Sequence, residues 1–330
     1  MGLKDLVLGE LKKYPSEYIS GGELASRLKL SRTAVWKAVE SLRADGWDIS
    51  AVTNRGYRLL GGSPFTAEAL SLLLPEGMFD IAFYEKVSST NDILKAEAAL
   101  GGAEWKVAIA EQQEAGKGRM GRSFFSPPGC GLYMSILLRP NLLARDSLLL
   151  TTAAAVAVAA AAEKLSGKKT EIKWVNDVLM DGKKICGILT EGALDLEAGG
   201  LQYAVVGIGV NAVEPEGGFE PSIAGIAGSV FPSGYRLDRR AELAAEILTL
   251  FRSFYLALPE RPFLDEYRRR SSVIGKDITV YPHIGGEGAE AVALGVTDDF
   301  ELLVRFPDGR EAALSSGEVS VRPRGSSALD

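Results

Sequence analysis

Apolar positions in the first sixty residues recur at helical spacing. Leu3, Leu6, Val7 and Leu11 fall on one face, and Tyr14-Pro15 breaks the run. Ser20, with Glu23 three residues on, has the form of a capping box and opens a short helix through Leu28. A turn at Lys29-Leu30 leads to Ser31, a good N-cap, and to a third helix whose inner face is Val35, Ala38, Val39 and Leu42. The pattern is a helix-turn-helix. The segments WDISAV and YRLL, joined by TNRG, predict a two-stranded hairpin that forms a wing beside the third helix. Gly61-Gly62-Ser63-Pro64 has a linker's composition, and Thr66 caps a short helix through Leu74.

Alternation at period two then takes over. IAFYEKV (81–87) and KVAIAEQ (106–112) predict strands flanking a helix over 91–100, and GLYMSILLRP predicts a third strand. The alanine-rich run 148–165 is too small in side-chain bulk for a bilayer span and reads as a buried core helix. EIKWV, ICGILTE and YAVVGIGVN add strands, and 240–256 and 262–270 add helices. Tandem strands broken by isolated helices predict an α+β fold with a mixed sheet. From Val273 onward DITVY, AEAVALGV, ELLVRF and GEVSVRP are separated by turns, including HIGGEG and Pro307-Asp308-Gly309, so a small all-β barrel-like domain is expected. The expected domains are 1–62, 63–272 and 273–330, with a frayed tail after Gly325.

Charge changes the picture at one end only. The whole chain of 330 residues carries −6, which excludes a protein coated in nucleic-acid-binding charge. Residues 1–60 hold ten Lys+Arg against seven Asp+Glu, leaving 27 against 36 from the chain totals of 37 and 43. The helix-turn-helix segment is therefore +3 and the remainder −9. The outward face of the third helix offers Arg32, Thr33, Trp36, Lys37 and Arg43 to base edges and phosphates, with Arg55 at the wing tip. The same module also serves packing or dimerisation alone in other settings. Cys130 and Cys186 are too few for a disulfide framework or a zinc site, and with no secretion signal at the start they predict reduced thiols in a cytoplasmic protein. His283, the single histidine, receives no role.

The densest chemistry is QEAGKGRMGRSFF (113–125), which packs Gly116, Gly118 and Gly121 with Lys117, Arg119 and Arg122. Backbone donors and cations converging in this way suit a phosphate. The segment is neither a P-loop, since no GK[ST] follows, nor a dinucleotide fingerprint, since its glycine spacing differs. Met alone, it also fits a solvated basic surface loop. SSTN (88–91) precedes it; KWVND (173–177), GKKICGIL (182–189) and GIGVN (207–211) follow. With these in order, the chain resembles the biotin protein ligase family. The resemblance runs from the helix-turn-helix to the tail and is to the long, bifunctional form, similar to a biotin operon repressor as well as a ligase.

That resemblance implies a three-part molecule: a winged helix, a catalytic domain of the biotin/lipoate ligase type and an SH3-like barrel. It implies ATP and Mg²⁺, with biotin as substrate, a biotin carboxyl carrier protein and biotin-operator DNA as partners, a ligand-promoted homodimer and no membrane. Activating a carboxylate with ATP needs positive charge at the α-phosphate. Lys184, Arg119, Arg122 and Lys173 are the cations available, and Asp177 is the carboxylate for Mg²⁺, directly or through water. Asn176 and Asp177 equally fit an Asx-turn. A ureido ring needs matched donors and acceptors, which Ser89, Thr90 and Gln113 can offer, although SSTN also suits a helix N-cap. The carry-over makes Lys184 the main catalytic lysine and places Lys117, Arg119 and Arg122 in a loop that closes over the ligands. Asn91, Gly187 and Gly207 join the biotin set; Gly116, Gly118, Phe124 near adenine, Asn176 and Asn211 join the nucleotide set.

Lys117 and Met120 stand where the family has arginines, Phe124 where tryptophan is commoner, and Val175 where proline is usual, so a looser turn is expected before Asn176. Two rivals remain: a lipoate or octanoate ligase, and a ligand-sensing repressor without useful catalysis. Whether Glu318 and Arg322 reach the nucleotide is a tertiary question.

Overall fold

The structure is a computed structural model that describes residues 2–14, 17–61, 65–195, 199–232, 238–281, 287–315 and 320–323. Linker residues 62–64, His283 with most of HIGGEG, Glu318 and the expected tail lie outside them, as does the side chain of Arg322. Two compact units emerge, 1–76 with 235–245, and 77–234 with 246–330.

In the first unit α2 (Gly21–Leu28) and α3 (Arg32–Ala44) bury the apolar faces expected of them, whereas α1 (Leu3–Lys12) buries Val7, Leu8 and Leu11 and leaves the expected Leu3 and Leu6 exposed; the core gathers around Leu8, Leu24, Val39 and Trp47. The capping box is half made. Ser20 Oγ accepts from the Glu23 amide at 3.1 Å, but the Glu23 carboxylate turns to Arg27 at 2.6 Å. Ser31 Oγ accepts from the Ala34 amide at 3.1 Å, and Lys29 at φ 55° makes the sharp entry to α3. β1 (Asp48–Val52) and β2 (Gly56–Gly61) form the antiparallel wing. Gly56 has no substitute there, because a Cβ would lie 2.1 Å from the Ile19 carbonyl oxygen. α4 (Ala67–Leu73) follows, capped by Thr66.

The second unit is built on one seven-stranded mixed sheet. Its strands are β3 (Asp80–Val87), β4 (Lys106–Gln113), β5 (Gly131–Leu138), β6 (Thr170–Lys173), β7 (Asp177–Met180), β8 (Lys183–Asp195) and β9 (Gly200–Asn211), in the order β3-β4-β5-β9-β8-β7-β6. Only β3 and β4 run parallel, joined by the crossover helix α5 (Thr90–Ala99). β7 was not legible in advance, being only four residues long and starting inside the motif KWVND. α5 packs through Leu94 and Ala98 on Ala108, Leu137 and Val205. Successive strand residues face opposite ways, so Ser135, Gly207, Leu189, Tyr133, Gly209 and Gly187 share the face that α5 covers.

α6 (Leu148–Ser166) is the alanine-rich segment, and it is buried as expected of a core helix, with Thr151 Oγ1 2.7 Å from Thr190 Oγ1 of β8. α7 (Arg240–Leu256) crosses the division between the units, and α8 (Leu264–Arg270) leads to the C-terminal strands. β10 (Asp277–Tyr281), β11 (Ala289–Val296), β12 (Leu302–Arg305), β13 (Glu311–Leu314) and β14 (Ser320–Pro323) make a five-stranded antiparallel sheet, ordered β13-β12-β11-β10-β14. The architecture is α+β, with a helix-turn-helix, a central mixed sheet and a small C-terminal β module.

The turn at Val175 differs from the expected loose one. Val175 is buried, its carbonyl accepts from Tyr267 Oη at 3.1 Å, and Trp174 Nε1 donates to the Phe300 carbonyl at 2.9 Å. Tertiary contacts do what a proline ring would have done locally.

Ala157 has no exposed surface in α6, and close packing leaves a longer side chain no room. Ala157→Leu is expected to cost about 1–3 kcal/mol, read as a lower urea midpoint at unchanged slope.

Candidate functional site

The site forms where the sheet has shed its side chains. In register, Ala110 of β4 faces Tyr133 of β5, Tyr133 faces Gly209 of β9, Gly209 faces Gly187 of β8, and Gly187 faces Asp177 of β7. The Gly209 and Gly187 pair leaves a bare strip of backbone, and the ring of Phe124 occupies it. A Cβ on Gly209 would lie 2.6 Å from Phe124 Cε1, and one on Gly187 would lie 3.3 Å from Cε2. Gly209 was missed as a site residue, though it sits in the quoted GIGVN.

The basic segment is a folded hairpin rather than a loose surface loop. The Gln113 amide donates to Ser126 O at 3.1 Å, Phe124 N to Gly116 O at 2.8 Å, and Gly118 N to Arg122 O at 2.7 Å. Its tip, Arg119–Gly121, needs positive φ at Met120 and Gly121. Gly116 is required at the base, since a Cβ would meet the Phe124 carbonyl oxygen at 2.4 Å. The fold aims Arg119 inward, where Nη1 donates to Asn176 Oδ1 at 3.1 Å. Burial pulls its guanidinium below the usual arginine range, opposed by the nearby Asp177 charge. Arg122 stays exposed, and Lys117, at the edge of the pocket beside Phe124, pairs with Asp92 at 2.7 Å. The structure therefore does not gather all three cations on one point.

A small pocket opens beside Phe124, lined by Ser89, Thr90, Asn91, Gln113, Gly187 and Gly207 among others. Its polar atoms form one chain. Gln113 Oε1 accepts from the Thr90 amide at 2.9 Å and from Thr90 Oγ1 at 3.1 Å, which turns Gln113 Nε2 to Ser126 Oγ at 3.1 Å. Ser135 Oγ lies 2.7 Å from Thr90 Oγ1 and 2.6 Å from Asn91 Oδ1, and Asn91 Nδ2 donates to Glu191 at 2.7 Å. Lys95 closes the chain on Glu191 at 2.6 Å. Ser89 is the N-cap of α5 by position, yet its side chain makes no cap hydrogen bond. Gly207 gives Asn91 its space, since a Cβ would lie 2.3 Å from Asn91 Oδ1. Ser135, Ser126 and Glu191 were not foreseen. Ser135 left a signal, a small polar side chain within an eight-residue strand that is buried throughout.

Along the same strip Lys184 Nζ pairs with Asp177 Oδ1 at 2.8 Å, both partly buried, and among the described residues that oxygen accepts no hydrogen bond besides this ion pair. Asn176 is clamped to β8: its Nδ2 donates to Ile188 O at 2.9 Å and its carbonyl accepts from Ile188 N at 3.0 Å. Lys173 ends β6 opposite Asp177 in register. Asn211 Nδ2 donates to Gly228 O at 3.0 Å and so ties the 226–228 segment to the strand end. Cys186 lies behind Lys184, where burial pushes its thiol far up and keeps it protonated. The arrangement can bind a compact polar head, hold an anion between Lys184 and Arg119, and cover both with the hairpin.

In the first unit Arg32, Thr33, Trp36 and Lys37 are all exposed on α3. Arg55 stacks at 4.5 Å on Tyr18, which also carries Arg58 at 4.7 Å, so the wing tip is held as a cationic ledge. Arg43 is not offered outward; Nε and Nη2 both donate to Ile49 O, at 2.8 and 2.6 Å.

Comparison with known proteins finds a relative for each of these stretches of the chain. Residues 83–211 match the Biotin/lipoate A/B protein ligase family, and residues 4–58 match an HTH domain. The chain is 38% identical over 299 residues to the Bifunctional ligase/repressor BirA of Bacillus spizizenii, covering 89% of this chain and 91% of that one. It is 29% identical to the Bifunctional ligase/repressor BirA of Escherichia coli, covering 93% and 94%. The fold is also that of a biotin protein ligase from Aquifex aeolicus in complex with biotin and ATP, with TM-score 0.60 and 23% identity over 74% of this chain and 99% of that one. With the hairpin, the polar pocket and the helix-turn-helix on one chain, the protein belongs to the bifunctional biotin ligase/repressor family.

Proposed function

We propose that this protein activates biotin with ATP to biotinyl-5′-AMP, transfers the biotin to a lysine of a biotin carboxyl carrier protein, and represses transcription when bound to operator DNA. The observation that carries the reading is the closed polar chain through Gln113, Thr90, Ser135 and Asn91 next to the Lys184–Asp177 pair.

A ureido ring has two N–H donors and a carbonyl, and each must be matched once water is lost. The pocket offers oxygens of Ser89, Thr90 and Asn91 and the amide of Gln113, already oriented by their neighbours. An alkyl chain, as in lipoate or octanoate, uses none of them. Lys184 and Arg119 supply charge to the reacting carboxylate and α-phosphate, with Lys173, Asn176 and Asn211 around the nucleotide and Gly116 and Gly118 giving close backbone approach. The hairpin over the site excludes water from an anhydride that water would destroy. The ring of Phe124 borders the biotin pocket, and in this reading it packs against the adenylate.

Asp177 fits Mg²⁺ only as a single contributor. Its carboxylate is shared with Lys184, and among the described residues no three His, Cys, Asp or Glu side chains gather as a chelate. Asp177 would contribute one oxygen to a magnesium ion, directly or through water, and the ion would supply neutralisation of phosphate charge.

Adenylate occupancy favours a homodimer that presents two winged helices to a two-fold operator. The work is cytoplasmic, consistent with two free buried thiols, and by function three modules are assigned, 1–62, 63–272 and 273–330, the last two within one compact unit apart from short stretches at 63–76 and 235–245. Sedimentation with and without biotin and ATP tests the dimer.

Wild-type protein with biotin, ATP and Mg²⁺ is expected to add one biotin to an apo carrier domain by intact mass, and Lys184→Ala to add none. Addition of lipoate or octanoate instead would overturn the substrate. Gly207→Ala, which drives a methyl into Asn91, is expected to weaken biotin binding about tenfold by calorimetry. Lys37→Ala is expected to weaken operator binding and reduce its log–log salt slope by about 0.9, as loss of one phosphate contact requires. An unchanged slope would remove Lys37 from the interface.

A further inference from the structure

The turn that carries Asn176 and Asp177 lies at the rim of the sheet. It follows β6, the last strand in the order, so the ladder supports it on one side only. The other side is closed by the C-terminal part of the chain. Phe300 sits between β11 and β12 at φ 61°, a conformation few phenylalanines adopt, and its turn is tied by Phe300 N to Thr297 O at 3.1 Å and Thr297 N to Glu301 O at 2.9 Å. Arg268 Nε donates to Val296 O at 2.9 Å and Arg261 Nη1 to Asp298 O at 2.6 Å, which pins that turn against α8.

In this pose the Phe300 carbonyl receives the Trp174 indole N–H, and its ring stacks on Phe263 at 5.3 Å and meets Tyr267 edge-on at 5.4 Å. Tyr267 in turn donates to the Val175 carbonyl. Trp174, Val175, Phe263, Tyr267 and Phe300 are all buried. Two consecutive residues directly before Asn176 are thus held by the C-terminal module and α8, while Asn176 itself is held by β8.

We infer that Phe300 and Tyr267 are positioning residues for the nucleotide end of the site: they set where Asn176 and Asp177 stand relative to Lys184, although neither touches substrate. This goes beyond a barrel that merely covers the catalytic domain, and it rests on the ligase activity proposed above. The biotin pocket, lined from β4, α5, β5, β8, β9 and the hairpin, includes neither Phe300 nor Tyr267 nor the two residues they hold, so the two substrates should respond differently.

The test is ATP-dependent pyrophosphate exchange, with biotin Kd measured separately by calorimetry without ATP. Trp174→Phe and Tyr267→Phe each keep a ring and delete one donor. Loss of one buried hydrogen bond at the turn is expected to raise KM for ATP about fivefold, with biotin Kd within about twofold of wild type. The inference stands if either variant does this. It is overturned if neither moves KM for ATP, or if biotin Kd rises in step, which would mark general loosening. An inactive wild type would overturn the ligase proposal and this inference with it, whereas active wild type with unmoved variants would overturn this inference alone.

Discussion

Cross-strand register is the constraint on which the rest of the catalytic unit depends. Because β8 pairs with β9 so that Gly187 meets Gly209, two absent side chains coincide and become one trough, continued at Asp177 on β7. A slip of one residue would turn Ile188 and Ile208 into that space and send the glycines to the α6 face. The hairpin can lie flat on the sheet only because the trough is there. Phe124 seats it, Gly116 lets its base close, and its tip then brings Arg119 to Asn176.

Electrostatics follow from that seating. A guanidinium drawn into partial burial near Asp177, whose carboxylate is already paired with the Lys184 ammonium, puts two cations around one anion. Such a cluster leaves positive charge in excess, which suits an incoming carboxylate and phosphate. The neutral end of the site works by the opposite rule. There the side chains hold one another in place, from Lys95 through Glu191, Asn91 and Ser135 to Thr90 and Gln113, so geometry instead of net charge does the selecting.

The first unit is economical by comparison. Its helices bury their apolar faces and leave Arg32, Thr33, Trp36 and Lys37 outward, with Arg55 and Arg58 stacked on Tyr18 to stiffen the wing. The local excess of positive charge in an acidic chain lies where those side chains are.

Local order was legible in the residues themselves. Period and caps placed α1 to α3, the wing and the buried α6, since helical spacing and N-cap chemistry act within a few residues. The motifs held many of the residues that line the candidate pocket, because each carries its chemistry in a short run. What lay beyond reach was whatever depends on partners distant in the chain. Ser135 and Glu191 belong to the pocket only through contacts 44 and 100 residues away, to Asn91. Arg43 looked like an outward cation until the Ile49 carbonyl claimed it. Val175 lacked the ring that would stiffen its turn, and the stiffness came from Tyr267 and, through Trp174, from Phe300, 126 residues on. Composition and spacing determined which elements and which chemical groups this protein has; only the tertiary structure decided which groups meet, because register and packing, not sequence distance, set their separations.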